Sequence, residues 1–171
     1  MWLKTQFFCA NLEALASKTD ISGSFMCLFD VASLFTNIPL EKTIQICLDT
    51  YRDEQIEQPS LTEMLLKKLL LKATSDVEFG FDGIMYWQID GVAMGSPLGP
   101  VLANIFMGYC EARITEDCWP LFYDRFVDDT FAVFSSQNGS QGFSVSIASI
   151  MNLSLLLKVR GIVSFLSWMC W

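Results

Sequence analysis

The chain has 171 residues, of which 19 are acidic, 11 basic and none histidine, so its formal net charge is −8. That length suits one compact domain, and 52% hydrophobic residues with 13% aromatics exclude intrinsic disorder as a description of most of it. The absence of histidine excludes Ser-His and Cys-His nucleophile systems, imidazole acid–base catalysis and imidazole-ligated zinc.

Taken in order, the first strong signal is Phe25 to Ala32, an apolar run interrupted by Asp30 and of the length of a buried strand. Pro39 opens a helix with Leu40, Thr43, Ile44 and Cys47 on one face, and Gln58 to Ser60 breaks it. Ser60-Leu61-Thr62-Glu63 reads as a capping box, followed by an apolar stripe of Leu61, Leu65, Leu66, Leu69 and Leu70, which predicts a second helix. Val77–Phe81 and Ile84–Ile89 flank Asp82-Gly83, a pair that tolerates positive φ, so a β-hairpin is expected. A third helix fits from Pro97 to about Cys118, entered through a Gly/Ser/Pro turn. Leu121–Val127 and Thr130–Phe134 then read as strands joined at Asp128-Asp129. This order predicts an α+β fold, an antiparallel sheet with helices packed on one face, and no internal repeat.

The six cysteines, at 9, 27, 47, 110, 118 and 170, contain no C-x-x-C pair, and no signal-peptide pattern precedes them. Reduced thiols in an intracellular protein are the plain expectation. All acidic residues lie at or before Asp129, and after Phe134 only Lys158 and Arg160 are charged. At ordinary acidic content of roughly one residue in nine, about five acids would be expected in that tail. The uncharged stretch Phe143 to Leu157 is studded with serines and is shorter than the ~20 residues a membrane helix needs, so no membrane partner is expected.

Three segments bear on chemistry. In Phe126-Val127-Asp128-Asp129-Thr130-Phe131, two adjacent carboxylates at a hairpin tip repel unless a cation, a donor or water compensates. Aspartates are also ordinary turn residues, and spacing leaves both readings open. Asp30, inside a strand, is costly to bury without a partner. If the sheet sets its strand beside the hairpin, three carboxylates converge, and oxygen-rich clusters of this kind suit Mg²⁺ or Mn²⁺. Between them, Gly91-Val92-Ala93-Met94-Gly95-Ser96-Pro97-Leu98-Gly99-Pro100 lets a backbone approach something flat or bulky, or serves simply as a helix entry turn.

In order and together, these segments resemble the palm of a reverse transcriptase. FDVASLFTNIP at Phe29 to Pro39 is similar to the family's first catalytic motif, GVAMGSPLGPVLANIFM at Gly91 to Met107 to its second, and FVDD at Phe126 to Asp129 to its third. The wording is closest to Penelope-like retroelements, which are allied to telomerase. The resemblance implies a remnant N-terminal segment at 1–24, a palm at 25–135 and a tail at 136–171. It also implies that Asp30 and Asp128 bind two divalent ions, Mg²⁺ or Mn²⁺, with the backbone carbonyl of Val31 as a further ligand and Asp129 completing the acidic cluster. Phe35 would meet the sugar of the incoming nucleotide and disfavour a 2′-hydroxyl. Gly91, Gly95, Ser96, Pro100 and Asn104 would form the turn and helix beside the template base and the nascent pair, with Met94 where many relatives carry glutamine. Implied partners are an RNA template, a DNA primer and dNTP, with a nuclear location for a retroelement enzyme.

Two features depart from a working polymerase. Affinity for a polyanion normally comes from lysine and arginine, whereas this chain is acidic, and only about 24 residues precede Phe25, where the fingers should stand. No extension activity is therefore expected from the isolated chain, and the alternative is a non-enzymatic relic that binds proteins or aggregates through exposed apolar surface. The charge-poor tail points to a shifted reading frame after Phe134: one codon choice for Gly161 to Trp171, read two nucleotides on, spells NSQLPFLDVL, and relatives carry a similar LPFLDV stretch. On that reading, residues beyond about 137 lack an evolved partner surface and are poorly ordered or stick to exposed apolar patches.

Overall fold

The computed structural model describes residues 10–11, 13–18, 21, 23–53, 61–74, 77–89, 91–93, 96–151 and 157–164. The chain divides into two compact units, one of residues Met1–Ala32 with Arg113–Trp171 and the other of Ser33–Ala112.

In the first unit, strand β1 (Phe25–Val31) is followed, across the whole second unit, by a hairpin of β4 (Phe122–Phe126) and β5 (Asp129–Phe134). The expected strand boundaries shift here. Phe126 pairs with Asp129, so the loop is Val127–Asp128, and Asp129 belongs to the strand. With β6 (Leu157–Ser164) these form a sheet of order β4-β5-β1-β6, antiparallel at every pairing. Strand alternation sorts the side chains. Phe25, Cys27 and Phe29 of β1 lie opposite Phe134, Ala132 and Thr130 of β5, and this face packs on helix α5 (Gln137–Met151). Phe143 of α5 lies 5.4 Å from Phe29, 5.5 Å from Phe134 and 5.9 Å from Tyr123 between ring centroids. Offset and tilted pairs at these separations add to the burial of their area.

Neither α5 nor β6 is expected from sequence, and this aromatic face is a partner surface for the segment after residue 137 that the sequence reading leaves without one. The helix hides because four serines, two glycines and three amide side chains interrupt its apolar residues, yet its buried positions Ser140, Phe143 and Ile147 keep the spacing of one helical face. Among the described residues no helix is long and apolar enough to cross a membrane.

In the second unit a short helix, α1 (Leu34–Asn37), leads through Pro39 into α2 (Leu40–Asp53), then α3 (Glu63–Thr74), a hairpin of β2 (Glu78–Phe81) and β3 (Ile84–Trp87), and α4 (Gly99–Glu111). Helix α2 buries Thr43, Ile44 and Leu48 and packs against both α3 and α4. The longest apolar stripe is on α4, where Gly99, Leu102, Ala103, Phe106, Met107 and Cys110 are all buried. It ends at Glu111, earlier than expected, and a separate 3₁₀ turn, Glu116–Cys118, follows in the other unit.

Helix α3 forms, but its start and its stripe differ from the sequence reading. Ser60 lies outside the described residues, and Thr62 is the observed cap, its hydroxyl accepting from the Leu65 amide at 3.3 Å. Leu65 and Leu69 are exposed rather than buried. The Asp82-Gly83 turn forms as expected, with φ of 51° and 75°.

Candidate active site

The carboxylates are placed by strand register. Asp30, second from the end of β1, sits directly across from Asp129 at the start of β5. Directly opposed residues of an antiparallel pair project to the same side, so both acids lie on the sheet face away from α5. The backbone N–H of Val31 donates to the Asp128 carbonyl at 3.1 Å, which ties the loop to the end of β1. Acids far apart in sequence, Asp30 and the Asp128-Asp129 doublet, are thus gathered at one end of one sheet. Asp30 and Asp128 are half-buried, Asp129 is exposed and Val31 is buried. Alternation puts Asp124 on the same face, since it pairs with Phe131, which pairs with Leu28. Sequence reading passes over Asp124, although it precedes Phe126 by the two residues that return a strand to the same side.

Donor chemistry and metal geometry are separate matters. Hard carboxylate oxygens without imidazole or thiolate are the set that Mg²⁺ and Mn²⁺ favour. Even so, among the described residues no group of three or more Asp, Glu, Cys or His side chains is drawn together closely enough to hold a metal ion. The backbone brings the acids to one place; their side chains do not close into a three-ligand cluster.

The remaining candidates belong to the second unit, and Gly91 lies beside Phe35 there. Ser33, with φ 54°, turns the chain into α1, and its carbonyl accepts from the Thr36 hydroxyl at 3.0 Å and the Asn37 amide at 2.9 Å. The Phe35 carbonyl then accepts from the Val92 N–H at 2.7 Å, pinning the segment after the hairpin to α1. Gly91 is required there for two reasons. Its φ is +77°, and a Cβ would stand 2.6 Å from the Thr36 carbonyl oxygen, where no rotamer change can relieve it. The Phe35 ring lies against Gly99, whose hypothetical Cβ would meet it at 3.5 Å, in ordinary contact. The first and second motif segments are therefore joined at Phe35, by backbone on one side and ring on the other.

Ser96 shapes the entry to α4. Its hydroxyl accepts from the Leu98 N–H at 3.4 Å and its carbonyl from the Gly99 N–H at 3.0 Å. Pro100 sits in the first turn, where its missing N–H costs no helical bond, and is exposed. Asn104 is exposed one turn further on. Gly95 and Met94 lie outside the described residues.

The sequence model of the family described as reverse transcriptase (RNA-dependent DNA polymerase) matches residues 5–156. Among curated proteins none matches the chain. Among solved structures, an apo telomerase from Candida tropicalis, truncated from the C-terminal domain, is similar with a TM-score of 0.70 and 11% identity. The likeness covers 94% of this chain and 34% of that one, so the chain spans about a third of that protein's length. At this identity it is the fold that is shared: mixed helices and an antiparallel sheet, as in a truncated reverse transcriptase domain.

Proposed function

Because the chain belongs to the reverse transcriptase family, we propose that it is the carboxylate-bearing palm of an RNA-directed DNA polymerase, of the Penelope-like type allied to telomerase. The reaction is nucleotidyl transfer from dNTP to the 3′-hydroxyl of a DNA primer on an RNA template. The observation that carries this reading is the facing of Asp30 and Asp129 across β1 and β5, with Asp128 bonded to the end of β1. The residues to hold two Mg²⁺ or Mn²⁺ ions are Asp30, Asp128 and the Val31 carbonyl, with Asp129 beside them. Divalent ions there would favour ionisation of the attacking hydroxyl and offset charge on the departing pyrophosphate. Phe35 disfavours a 2′-hydroxyl by filling the space beneath the sugar, and Gly99 lies against that ring.

A chain of net charge −8 has little to neutralise phosphates with. Positioning errors of about 1 Å already cost two orders of magnitude in rate. On this reading the isolated chain does not extend a primer. The test of the site is Mn²⁺ titration followed by calorimetry. The wild-type chain binds, and Asp30→Asn or Asp128→Asn weakens binding by at least about tenfold. Equal binding by wild type and the double variant Asp30→Asn/Asp128→Asn would refute the reading. The test of inactivity is incorporation of labelled dNTP on a primed RNA template: incorporation that disappears in Asp128→Asn overturns it.

One observation favours a second reading, a retroelement relic whose only remaining interactions are with other proteins. Phe81, Met85 and Trp87 of the β2–β3 hairpin are 69%, 60% and 59% exposed. Under this reading Mn²⁺ binding is weak and unaffected by the aspartate substitutions, while the chain self-associates on size exclusion.

A further inference from the structure

The turn that carries Asp128 is built on a backbone conformation that its own sequence resists. Val127 stands at φ +58°, in the left-handed region, where a β-branched side chain is a steric outlier. The register allows no escape, because the pairing of Phe126 with Asp129 makes Val127 and Asp128 the entire loop. Two-residue loops demand positive φ to match the twist of the flanking strands. The β2–β3 hairpin meets that demand with Asp82 and Gly83, residue types suited to it. This loop has a valine in its first position, so the conformation needs support from elsewhere.

Arg125 supplies a contact at the required place. Its Nη1 donates to the Val127 carbonyl at 3.1 Å. Arg125 pairs with Thr130, one residue out of phase with Phe126 and Asp129, so it stems from the α5 side of the sheet while Asp30 and Asp129 lie on the other. The guanidinium thus braces the turn from behind. The carbonyl it holds belongs to the peptide leading into Asp128, and the next carbonyl, that of Asp128, accepts from Val31.

We infer that Arg125 is a positioning residue: its bond to the Val127 carbonyl stabilises the left-handed turn and thereby keeps Asp128 fastened to the end of β1 beside Asp30. The catalytic meaning of this brace rests on the polymerase reading. The brace itself rests on the backbone geometry.

The experiment is amide hydrogen exchange by NMR on the full chain, comparing two reporters. Val31 N–H reports the turn, and Leu121 N–H, which donates to the Val133 carbonyl at 2.7 Å, reports the far end of the same hairpin. Arg125→Met keeps the aliphatic bulk and removes the donors. Val31 protection should fall about tenfold or more while Leu121 changes less than about twofold, an allocation a general loss of stability would not produce. In a Val127→Gly background, where glycine adopts the positive φ unaided, the same substitution should lower Val31 protection by less than about twofold. Arg125→Lys, which retains a donor, should stay within about threefold of wild type. Equal losses at Val31 and Leu121, or a loss that persists undiminished in the Val127→Gly background, would overturn the proposal. Should Arg125→Met unfold the chain, the double variant Arg125→Met/Val127→Gly decides: folded with Val31 protected it supports the brace, and unfolded or unprotected it refutes it. Mn²⁺ titration of Asp128→Asn separates the two ideas, since unchanged metal affinity removes the polymerase reading and leaves the exchange result standing.

Discussion

The aromatic cluster of the sheet unit and the β2–β3 hairpin of the helical unit treat their rings in opposite ways. In the sheet unit, Phe29, Phe134 and Phe143 are each at most 2% exposed, and their rings meet one another. In the helical unit, Phe79 and Tyr86 stack at 5.7 Å on a two-stranded hairpin whose strand residues are all exposed. An isolated two-stranded hairpin is marginal in water, so turn chemistry and cross-strand pairs must hold this one without a core. The lesson is that aromatic content alone does not mark a core. In the sheet unit the clustered rings fix the strand that presents Asp30, and on the β2–β3 hairpin they leave apolar surface available for other molecules.

The largest effect should follow from breaking the sheet unit's cluster. Phe143→Ala removes the ring that touches Phe29, Phe134, Tyr123 and Trp119. Its cost by urea unfolding should be about 3–5 kcal/mol, the range for buried Phe→Ala. A loss under about 1 kcal/mol would mean that α5 does not contribute to the core of that unit, and would restore the view that the serine-rich tail is loosely held.

Within the helical unit, the corresponding weak point is backbone rather than ring. Gly91→Ala forces a Cβ to within 2.6 Å of the Thr36 carbonyl oxygen at a φ of +77°. Left-handed strain of about 1–2 kcal/mol adds to an overpacking cost of about 1–3 kcal/mol. A destabilisation of about 2–5 kcal/mol is expected. If Gly91→Ala is neutral in thermal unfolding, the junction of the first and second motif segments at Phe35 is wrong.

How much of this is legible in the sequence differs element by element. Strand β1, helix α2 and the Asp82-Gly83 hairpin announce themselves, because their signals are local: a short apolar run, a one-faced period, a turn dipeptide. Helix α1 has only four residues, too few for any period, and it forms because Ser33 turns and Thr36 and Asn37 bond back to it. Helix α5 carries its period on Ser140, Phe143 and Ile147 alone, against a serine background that reads as loop. Two aspartates look more like a turn than Val127-Asp128 does, so the sequence puts the third-motif loop one residue late, and only pairing with β4 decides it. As for the site, resemblance names its acids, but their proximity is a matter of register between strands about a hundred residues apart in the chain, which no local pattern contains.

A smaller effect sharpens the contrast from the exposed side. Phe81→Ser on β2 removes a ring that is 69% exposed. Stability should change by less than about 0.5 kcal/mol, as for surface sites lacking a special role. Self-association by sedimentation at rising concentration should nevertheless decline, because the ring's contribution is to apolar surface. A large destabilisation would show that the hairpin is packed after all and does not differ from the sheet unit's cluster as described.

The smallest predicted effect concerns pH and separates core from surface by titration. Burial pushes the Cys27 thiol above the ordinary thiol range, and a hydrogen bond with Ser140 opposes this to a lesser degree. Below about pH 8.5 the thiol is protonated in both the folded and unfolded chain, and its contribution is constant. Above that pH the unfolded chain releases the proton first, so it binds fewer protons than the folded chain and stability must fall as pH rises toward the folded pKa. Cys47 on α2 is raised by burial as well, so wild type alone would report both thiols. Comparing urea midpoints at neutral and alkaline pH for wild type and Cys27→Ala isolates the β1 thiol: the alkaline loss should be shallower in the variant. Identical slopes would mean that water reaches Cys27 in the folded chain, and the face of β1 packed against α5 would then be wetter than its aromatic cluster implies.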